Sequence, residues 1–549
     1  MNTQQMHTPN GTQDNIEKLA ALFPGCVTEA WDDKNGAIKR AIDFDLLRHE
    51  LGDVIVDGPR ERYQLDWPGK REALQAANAP TAKMLRPCRD DSVHFDTTQN
   101  IFIEGDNLDA LKLLQETYVG RVKLIYIDPP YNTGKAFVYA DDFVADRRAY
   151  LIKSQQTGTG EGPLVLNPES NGRFHSDWLS MMLPRLKLAR NLLHRDGAIF
   201  VSIGVEELAN LRLCMSEVFG EGNFVEVFSW IKTATPPGLS RKSRKTTEYI
   251  VCFEREKSGI KYFGDVLDGG DQPLLNRGNS VAVLKFPCES VTFSRSVFPD
   301  GPIMAHRVER VELMDNILLH NGMADRPFRL KAEFKWSQAF LDAEIRKGTK
   351  LIIKSEQLSV RFLRTEVGAK RPTNLIRQET LLKVIDKPTA GVETNEAASA
   401  ALAALLGGDY FDHPKPVSLI AYLCRFLTGG SDIIMDFFAG SGATAHAVMS
   451  LNLQDGGQRS WILVQIPEAL GVAATVETAA KKRLQRCIEF LDALGRPRNL
   501  AEITKERLRR AGAALQSENT ARARNLDVGF RVLQIDDARG EGGLTQQPR

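Results

Sequence analysis

The sequence predicts an α/β protein with a doubly wound, mostly parallel sheet whose strands come from two separate parts of the chain. Between residues 100 and 230, short apolar runs alternate with segments of helical periodicity, as expected of βαβ units. The same alternation returns between residues 417 and 466. The block 257–405 between them loses it and mixes short β-rich runs with basic segments. We therefore expect an inserted α+β domain there.

Composition narrows the class of protein. The chain has 549 residues, 42% hydrophobic and 26% charged, which excludes a disordered or collagenous chain. A net charge of +1 argues against a uniformly basic protein that coats nucleic acid, although local basic patches remain possible. The seven cysteines lie tens of residues apart, without the short spacings of a zinc site or a disulfide framework, so no metal is expected.

The chain's ends and apolar runs predict a cytoplasmic protein. The first fifteen residues are polar and lack the basic start and apolar stretch of a signal peptide. No apolar run approaches the roughly 18 to 20 residues that cross a bilayer, so no membrane partner is expected.

The first half of the chain is predicted to carry an N-terminal helical region and half of the sheet. Apolar spacing from Ile16 to Phe23 indicates a helix at the start of a region covering 1–90. In 91–256 we expect strands at 101–103, 122–127 and 198–203, with helices at 108–114 and 178–193. The apolar run 122–127 is typical of a strand buried on both faces.

The second half is predicted to complete the sheet. In 406–470 we expect a helix at 417–426, a strand at 433–436, a glycine-rich turn, a helix from Thr444 and a strand at 461–466. The tail 471–549 contains two more helical patterns and an alternating strand around residues 528–532, which predicts an accessory helical and edge-strand region.

The first motif with chemical content is Asp128-Pro129-Pro130-Tyr131, directly after the strand 122–127. Ligands of open α/β sheets bind at the carboxyl ends of strands. Asp128 and the carbonyl of Pro129 could each accept one N–H of an exocyclic amine, and the prolines would hold that carbonyl in place. Tyr131 offers a ring on which an extruded base could stack. The alternative is a Pro-Pro turn with a packed tyrosine.

The second motif, Asp436-Phe437-Phe438-Ala439-Gly440-Ser441-Gly442, also follows an apolar strand and precedes a helix. Glycines let the backbone approach a ligand closely, and a helix N-terminus favours a negatively charged group. No phosphate-binding lysine follows the glycines, which disfavours a triphosphate or a dinucleotide. The alternative is a tight turn without a ligand.

Together these motifs resemble those of the β-class amino-methyltransferases, which use S-adenosylmethionine to methylate DNA, and in particular the Mod subunits of type III restriction-modification systems. The likeness extends over most of the chain. The matching blocks are Glu61-Arg62-Tyr63, Trp67-Pro68-Gly69-Lys70, Phe95-Asp96-Thr97-Thr98, residues 103–108, residues 125–134, Asp177-Trp178-Leu179, His413-Pro414-Lys415-Pro416, the glycine motif, residues 462–468 and residues 527–532.

The resemblance implies a Rossmann-like methyltransferase sheet in circularly permuted order, with a catalytic half (91–256) before a cofactor-binding half (406–470). It implies that Asp128, Pro129, Pro130 and Tyr131 hold and activate the target amine. It implies a cofactor pocket lined by Asp436, Phe437, Gly440, Ser441 and Gly442, with Lys415 meeting the methionine carboxylate of the cofactor.

Four further residues are expected at or near the cofactor, and each has an alternative interpretation. Gln465 stands where many such enzymes carry an acid that contacts the cofactor ribose, and Glu468 follows three residues later, so either could make that contact. Asp106 and Asn107 follow a strand and are expected near the pocket. The alternative for this pair is an Asx-type cap of the helix that begins at Leu108.

Aspartate, where serine could stand at position 128, matches the adenine-N6 pattern of the family more than the cytosine-N4 pattern. Cytosine-N4 methylation and a catalytically silent DNA-specificity subunit remain as alternatives. No Pro-Cys pair occupies a comparable strand end, so carbon-5 methylation through a cysteine nucleophile is disfavoured; Cys288 lies in the inserted block.

The resemblance implies double-stranded DNA as the substrate. An amine in a duplex must then be flipped out, and basic residues must hold the backbone to offset that cost. Between Arg346 and Arg377 the insert carries nine basic residues against two acidic ones. The predicted DNA-binding residues are Arg361, Arg364, Lys370 and Arg371 in the insert, and Arg241, Lys242, Arg244 and Lys245 in a loop of the catalytic half. The resemblance also implies a homodimer and a separate restriction subunit carrying helicase and nuclease activities, since the chain shows no Walker motif.

Overall fold

The computed structural model describes residues 11–22, 26–32, 37–44, 47, 65–133, 173–236, 242–264, 271–364, 371–377, 383–384, 387–388, 391–470, 478–518 and 521–537. The α-helices span Gly11–Leu22, Lys70–Asn78, Asn107–Tyr118, Arg173–Leu192, Leu208–Phe219, Gln338–Arg346, Asn395–Leu406, Val417–Arg425, Ala443–Asp455, Thr478–Ala493, Leu500–Ser517 and Ala521–Arg524. Two 3-10 turns span Glu221–Asn223 and Cys288–Ser290.

The strands are numbered in chain order. They are β1 Val27–Asp32, β2 Ala37–Ile42, β3 Lys83–Val93, β4 Ile101–Glu104, β5 Val122–Ile127, β6 Leu193–Ile203, β7 Phe224–Ile231, β8 Thr247–Glu254, β9 Gln272–Pro273, β10 Val281–Phe286, β11 Val291–Phe293, β12 Gly301–Ile303, β13 His306–Val308, β14 Val311–Leu313, β15 Ile317–His320, β16 Met323–Ala324, β17 Phe328–Glu333, β18 Lys350–Ile353, β19 Val360–Leu363, β20 Leu375–Ile376, β21 Lys383–Val384, β22 Lys387–Pro388, β23 Ile433–Asp436, β24 Ser460–Gln465 and β25 Phe530–Asp537.

A ten-stranded sheet organises the larger of two compact units, residues 1–262 with 373–549. Its order is β20-β7-β8-β6-β5-β23-β24-β4-β25-β3. Six of the nine neighbouring pairs are parallel; β7 with β8, β8 with β6 and β25 with β3 are antiparallel. The prediction of a mixed α/β fold with a large, mostly parallel sheet is confirmed.

Both faces of this sheet are covered by helices. Along β5, Leu124 and Tyr126 face one hydrophobic core, and Ile125 and Ile127 face the other. The first core includes residues of the helices Val417–Arg425, Ala443–Asp455 and Leu500–Ser517, and the second includes residues of Asn107–Tyr118, Arg173–Leu192 and Leu208–Phe219. A strand buried on both sides has no polar face, which explains its continuous apolar run.

The order of the central strands determines where the candidate site lies. β5 pairs in parallel with β23, β23 with β24, and β24 with β4. Their carboxyl ends therefore open on one edge of the sheet, where open α/β sheets bind ligands. This edge gathers Asp106, Asp128, Asp436 and Gln465 from segments more than 300 residues apart.

The smaller unit, residues 263–372, has its own core. It contains three small sheets, of order β10-β17-β14-β13, β11-β18-β19-β9 and β12-β15-β16, and the helix Gln338–Arg346. The unit is narrower than the predicted insert 257–405. Residues 375–376 extend the large sheet beside β7, and Leu402 and Leu406 pack against Leu484 and Leu491 of the larger unit.

The N-terminal region departs from the predicted helical region 1–90. Besides the helices Gly11–Leu22 and Lys70–Asn78, it contains the antiparallel hairpin β1–β2 and the strand β3. β3 forms the edge of the large sheet by pairing with β25, more than 400 residues later. Such a partner leaves no local signal in the sequence. Among the described residues, no helix has the length and apolar character needed to cross a membrane.

A buried charge cluster joins the helix Leu500–Ser517 to the strands β3 and β4 of the large sheet. The ammonium of Lys505, which is fully buried, contacts the carboxylates of Asp91, Glu104 and Glu502. Asp91 also pairs with Arg496 and Arg509, at 2.9 and 2.5 Å. Burying a charge is costly unless it is paired, so this cluster must remain complete for the helix to dock.

Candidate active site

The Asp128–Tyr131 turn leaves β5 and is fixed by the helix Arg173–Leu192. The indole Nε1 of Trp178 donates to the carbonyl of Pro130 at 2.7 Å. Asn132, with a positive φ of 55°, donates to the carbonyl of Phe174 at 2.8 Å and to Glu207 at 2.6 Å. These bonds fix the turn on both sides, as a site that must hold a small group in one orientation requires.

Four charged groups, Asp128, Lys415, Glu248 and Lys232, form a charge quartet behind this turn. Lys415 Nζ lies 2.9 and 2.8 Å from the two carboxylate oxygens of Asp128 and 3.4 Å from Glu248 Oε2. Lys232 Nζ lies 3.0 Å from Glu248 Oε1. The hydroxyl of Tyr131 donates to Glu248 Oε2 at 3.0 Å, and its ring centroid lies 5.0 Å from Lys415 Nζ. Two cations thus balance two carboxylates.

The quartet sets the protonation of its members. Burial raises the pKa of Asp128, although Lys415 opposes this shift. Burial would raise the pKa of Glu248 too, but Lys415 and Lys232 together hold it below its ordinary value. Burial would lower the pKa of Lys415, and the two carboxylates raise it instead. Lys415 therefore stays an ammonium.

The glycine-rich turn leaves β23, the strand beside β5. Gly440 and Gly442 have φ of +51° and +79°, a region that side chains other than glycine rarely adopt. The amide of Gly440 donates to Gln465 Oε1 at 2.8 Å, and its carbonyl accepts from Thr504 at 2.6 Å. Buried Arg507 donates to the hydroxyl of Ser441 at 2.6 Å. The turn is therefore held from β24 and from the helix Leu500–Ser517.

Asp436 at the end of β23 is a buried carboxyl group. It accepts from Thr444 Oγ1 at 2.6 Å and from the amide of Phe438 at 3.0 Å. Burial raises its pKa to about 7, against these two bonds. At neutral pH the group is therefore divided between its charged and neutral forms.

This pKa predicts a pH dependence of stability. Between its unfolded value near 3.8 and about 7, the folded state binds more protons at Asp436 than the unfolded state does. Its contribution to stability is therefore full below about pH 4 and is lost as the pH rises to about 7. We expect Asp436→Asn to raise the melting temperature relative to the wild type by a margin that grows between pH 5 and pH 8. A margin independent of pH would contradict this assignment.

Asp106 and Asn107 form the cap of a helix and also lie beside the glycine-rich turn. Asp106 caps the helix Asn107–Tyr118 by accepting from the amides of Leu108 and Asp109. Asn107 Nδ2 donates to the carbonyl of Phe437, 2.9 Å away in the glycine-rich turn. Arg185 binds both side chains, at 2.5 Å from Asn107 and 3.3 Å from Asp106. The helix cap is thus attached to the second motif.

Some of the residues predicted to contact the cofactor lie in or beside the glycine-rich turn, and others lie away from it. Phe437, Gly440, Ser441, Gly442 and Gln465 surround the glycine-rich turn. Lys415, expected to meet the cofactor carboxylate, is hydrogen-bonded to Asp128, and its contact with the cofactor stays a prediction. Glu468 lies three residues beyond β24, where its carbonyl accepts from the amide of Leu500. The ribose contact of Gln465 or Glu468 stays a prediction.

The predicted DNA-binding residues fall into three groups. Arg241 and Lys370 lie outside the described residues. Lys242, Arg244 and Arg371 are exposed, and Lys245 is exposed and pairs with Glu206 at 2.8 Å. Arg361 pairs with Asp271 at 3.2 Å, and Arg364 pairs with Glu344 at 2.6 Å. The last two arginines neutralise acids that the local charge count did not include.

Sequence reasoning missed three residues of the site. Glu248 and Lys232 complete the quartet, and Arg185 joins the helix Arg173–Leu192 to the cap of Asn107. The sequence contains one signal for Glu248, because this residue is a carboxylate at the start of the apolar strand 247–254. Buried charges in such strands are rare without a partner.

Comparison with known proteins agrees with this geometry. The family model described as DNA methylase matches residues 122–471, which include both motifs. The Mod subunit of the type III restriction-modification enzyme StyLTI of Salmonella typhimurium is 30% identical over 528 residues, covering 94% of this chain and 73% of that protein. The EcoPI Mod subunit of Escherichia phage P1 is also 30% identical, covering 98% and 79%.

Among solved structures, the cytosine-N4-specific PvuII DNA methyltransferase matches with a TM-score of 0.31 and 12% identity, over 72% of this chain and 94% of that one.

The protein is a DNA methyltransferase and belongs to the DNA methylase family. Within that class it belongs with the Mod subunits of type III restriction-modification enzymes. The resemblance predicted from the two motifs is confirmed.

Proposed function

We propose that this chain transfers a methyl group from S-adenosylmethionine to N6 of adenine in double-stranded DNA. The observation that carries the proposal is the pairing of β5 with β23, which puts Asp128 and the glycine-rich turn at the ends of adjacent parallel strands. One segment holds the amine and the other holds the cofactor.

The cofactor-binding half suits S-adenosylmethionine. Gly440 and Gly442 have no side chains and have positive φ, so the backbone of the turn can approach a ligand closely. Asp436 at the end of β23 is partly charged at neutral pH, which would favour a cationic ligand beside the turn. When bound, the cofactor supplies the methyl group as part of a sulfonium. Phe437, Gly440, Gly442 and Gln465 would line its site.

The catalytic half activates the amine by accepting its hydrogens. Asp128 and the carbonyl of Pro129 would each take one N–H of N6, which draws the nitrogen lone pair out of the ring and toward the methyl group. The lone pair forms the new C–N bond, the C–S bond of the donor breaks with its electrons remaining on sulfur, and N6 loses one proton. Asp128 is the carboxylate placed to receive that proton.

The adenine must leave the duplex to reach Asp128. Flipping costs a few kcal/mol of stacking and pairing. Stacking on the ring of Tyr131 would return about 1–3 kcal/mol. The ring is held in place by its hydroxyl bond to Glu248, so little further ordering is required when the base arrives.

The remaining parts of the proposal concern organisation. The catalytic half precedes the cofactor-binding half, so the sheet has the permuted order of β-class enzymes. We assign target recognition to the compact unit 263–372, whose exposed basic residues include Arg346, Lys350 and Arg371. We further propose a homodimer that works with a restriction subunit carrying the helicase and nuclease activities.

The test is to express the full chain in cells that lack other DNA methyltransferases and to identify the modified nucleosides by mass spectrometry. N6-methyladenine at one sequence context is the expected result. N4-methylcytosine would favour the alternative base. Absence of any modified base, together with no saturable binding of S-adenosylmethionine, would favour a silent specificity subunit.

A further inference from the structure

The starting observation is that Lys415 occupies both oxygens of Asp128, at 2.9 and 2.8 Å. The proposed function requires at least one of those oxygens to accept an N–H of adenine. An ammonium bridging the carboxylate competes with a neutral amine, because hydrogen bonds between two ions are stronger than those to a neutral donor. Each oxygen keeps a further lone pair, but the bridging ammonium draws charge from it, so Asp128 accepts the adenine N–H more strongly when Lys415 moves away.

Glu248 is the acceptor that Lys415 can move toward. Its Oε2 lies 3.4 Å from Lys415 Nζ, slightly beyond hydrogen-bond length, so a shift of less than 1 Å would complete this bond. Glu248 is 6% exposed and is held by Tyr131 on the same oxygen and by Lys232 on the other. Its position therefore does not depend on Lys415.

We propose that Glu248 is a positioning residue that draws Lys415 off Asp128 when the target amine binds, and that Lys232 sets how strongly it does so. This inference rests on the proposed function and deepens it. No proton moves in the step; the ammonium passes from one carboxylate to the other while adenine N6 takes its place. The hydroxyl bond from Tyr131 makes the same glutamate sensitive to the ring on which the base stacks.

The charges around Asp128 give this exchange a measurable signature. Asp128 is faced by Lys415 from the segment before the helix Val417–Arg425, by Glu248 from β8 and by Asp436 from β23. Tyr126 and Tyr131 also face it, and burial raises the pKa of both phenols well above the ordinary value, so they stay neutral in the assay range. Lys232 pairs with Glu248, 3.0 Å away, and not with Asp128 among the described ion pairs.

The first variant is Glu248→Gln in the full chain, assayed with radiolabelled S-adenosylmethionine on DNA from a strain lacking the gene. The change leaves Lys415 on Asp128, so we expect kcat to fall about 10- to 100-fold. The acid limb of kcat/KM is expected to move to lower pH, because Asp128 keeps its cation and loses a neighbouring negative charge. Binding of S-adenosylmethionine should not change.

Glu254→Gln is the matched control. Glu254 lies on the same strand and is 7% exposed, but it is the last residue of β8, at the opposite end from Glu248, and pairs with Ala198 in the middle of β6. Its variant tests whether any buried glutamate of β8 would produce the effect through stability alone. We expect an unmoved acid limb and wild-type kcat at a temperature where the variant is folded.

The second variant, Lys232→Gln, is expected to shift the acid limb of the pH profile in the opposite direction. It tests the proposal on its own if Glu248→Gln does not fold. Without Lys232, Glu248 attracts Lys415 more strongly, so Asp128 loses its cation and the acid limb moves to higher pH. An acid limb that stays fixed in both Glu248→Gln and Lys232→Gln, or that moves equally in Glu254→Gln, overturns the proposal.

Failure of the proposed function would look different. In that case the wild-type chain itself would transfer no methyl group to adenine, whatever happened to the variants. A wild-type enzyme that methylates adenine, beside quartet variants with unchanged pH profiles, would leave the function standing and remove only the role assigned to Glu248.

Discussion

Replacing Asp128 by asparagine is expected to reduce methyl transfer to DNA by about 10³-fold. Asparagine keeps one acceptor oxygen, but it loses the charge that draws the N6 hydrogens and receives a proton. It also removes the main counter-ion of Lys415, which is 8% exposed. The assay is single-turnover transfer of a radiolabelled methyl group, with binding of S-adenosylmethionine measured separately by calorimetry.

The matched control is Asp196→Asn. Asp196 also lies on the large sheet, but at the amino end of its strand, near the start of β6. We expect its transfer rate to stay near that of the wild type. Normal transfer by Asp128→Asn would show that the carboxylate of residue 128 does not act on the amine and would end the assignment of this turn as the catalytic one.

Replacing Lys505 by methionine is expected to lower the free energy of unfolding by about 3–5 kcal/mol. The change leaves Glu104 and Glu502 buried near Asp91 without the cation that all three share. Burial already raises the pKa of Glu502 with Lys505 present. We therefore expect the loss to be larger at pH 8 than at pH 5, where protonation relieves part of the repulsion. Scanning calorimetry at the two pH values measures both effects.

Lys83→Met is the control for that experiment. Lys83 is the first residue of β3, the strand that carries Asp91, and pairs with Asp109 at 2.8 Å, but its side chain is 40% exposed. Exposed pairs contribute about 0–1 kcal/mol, so only a small change is expected. Equal losses for the two lysines would mean that the buried cluster is not what holds the helix Leu500–Ser517 to the sheet.

The parts of the fold that were predictable are those with local signals. The buried strand 122–127, the strand 433–436 and the helices that follow them have apolar periodicity and turn residues that do not depend on distant partners. β3 was missed because its polar sequence becomes a strand only through pairing with β25. The compact unit 263–372 is narrower than the predicted insert, and the next described strand, Leu375–Ile376, pairs with β7 of the large sheet.

The site was predictable where the motif is contiguous and less so where it is assembled. Asp128 and Asp436 could be placed at strand ends because each follows its strand directly. The partner of Lys415 depends on which of several carboxylates lies nearest in space, and sequence spacing does not report that distance. The same holds for Arg361 and Arg364, whose acidic partners lie 90 and 20 residues away.

The antiparallel pair β7–β8 has a consequence for exchanging specificity loops between relatives. Lys232 follows the last residue of β7 and Glu248 is the second residue of β8, so the two ends of the basic loop 233–246 are anchored by members of the same ion pair. Loop grafts of any length should be tolerated if they are joined between these two positions. A graft that shifts β8 by a single residue would turn Glu248 to the other side of the sheet, and methyl transfer would be lost.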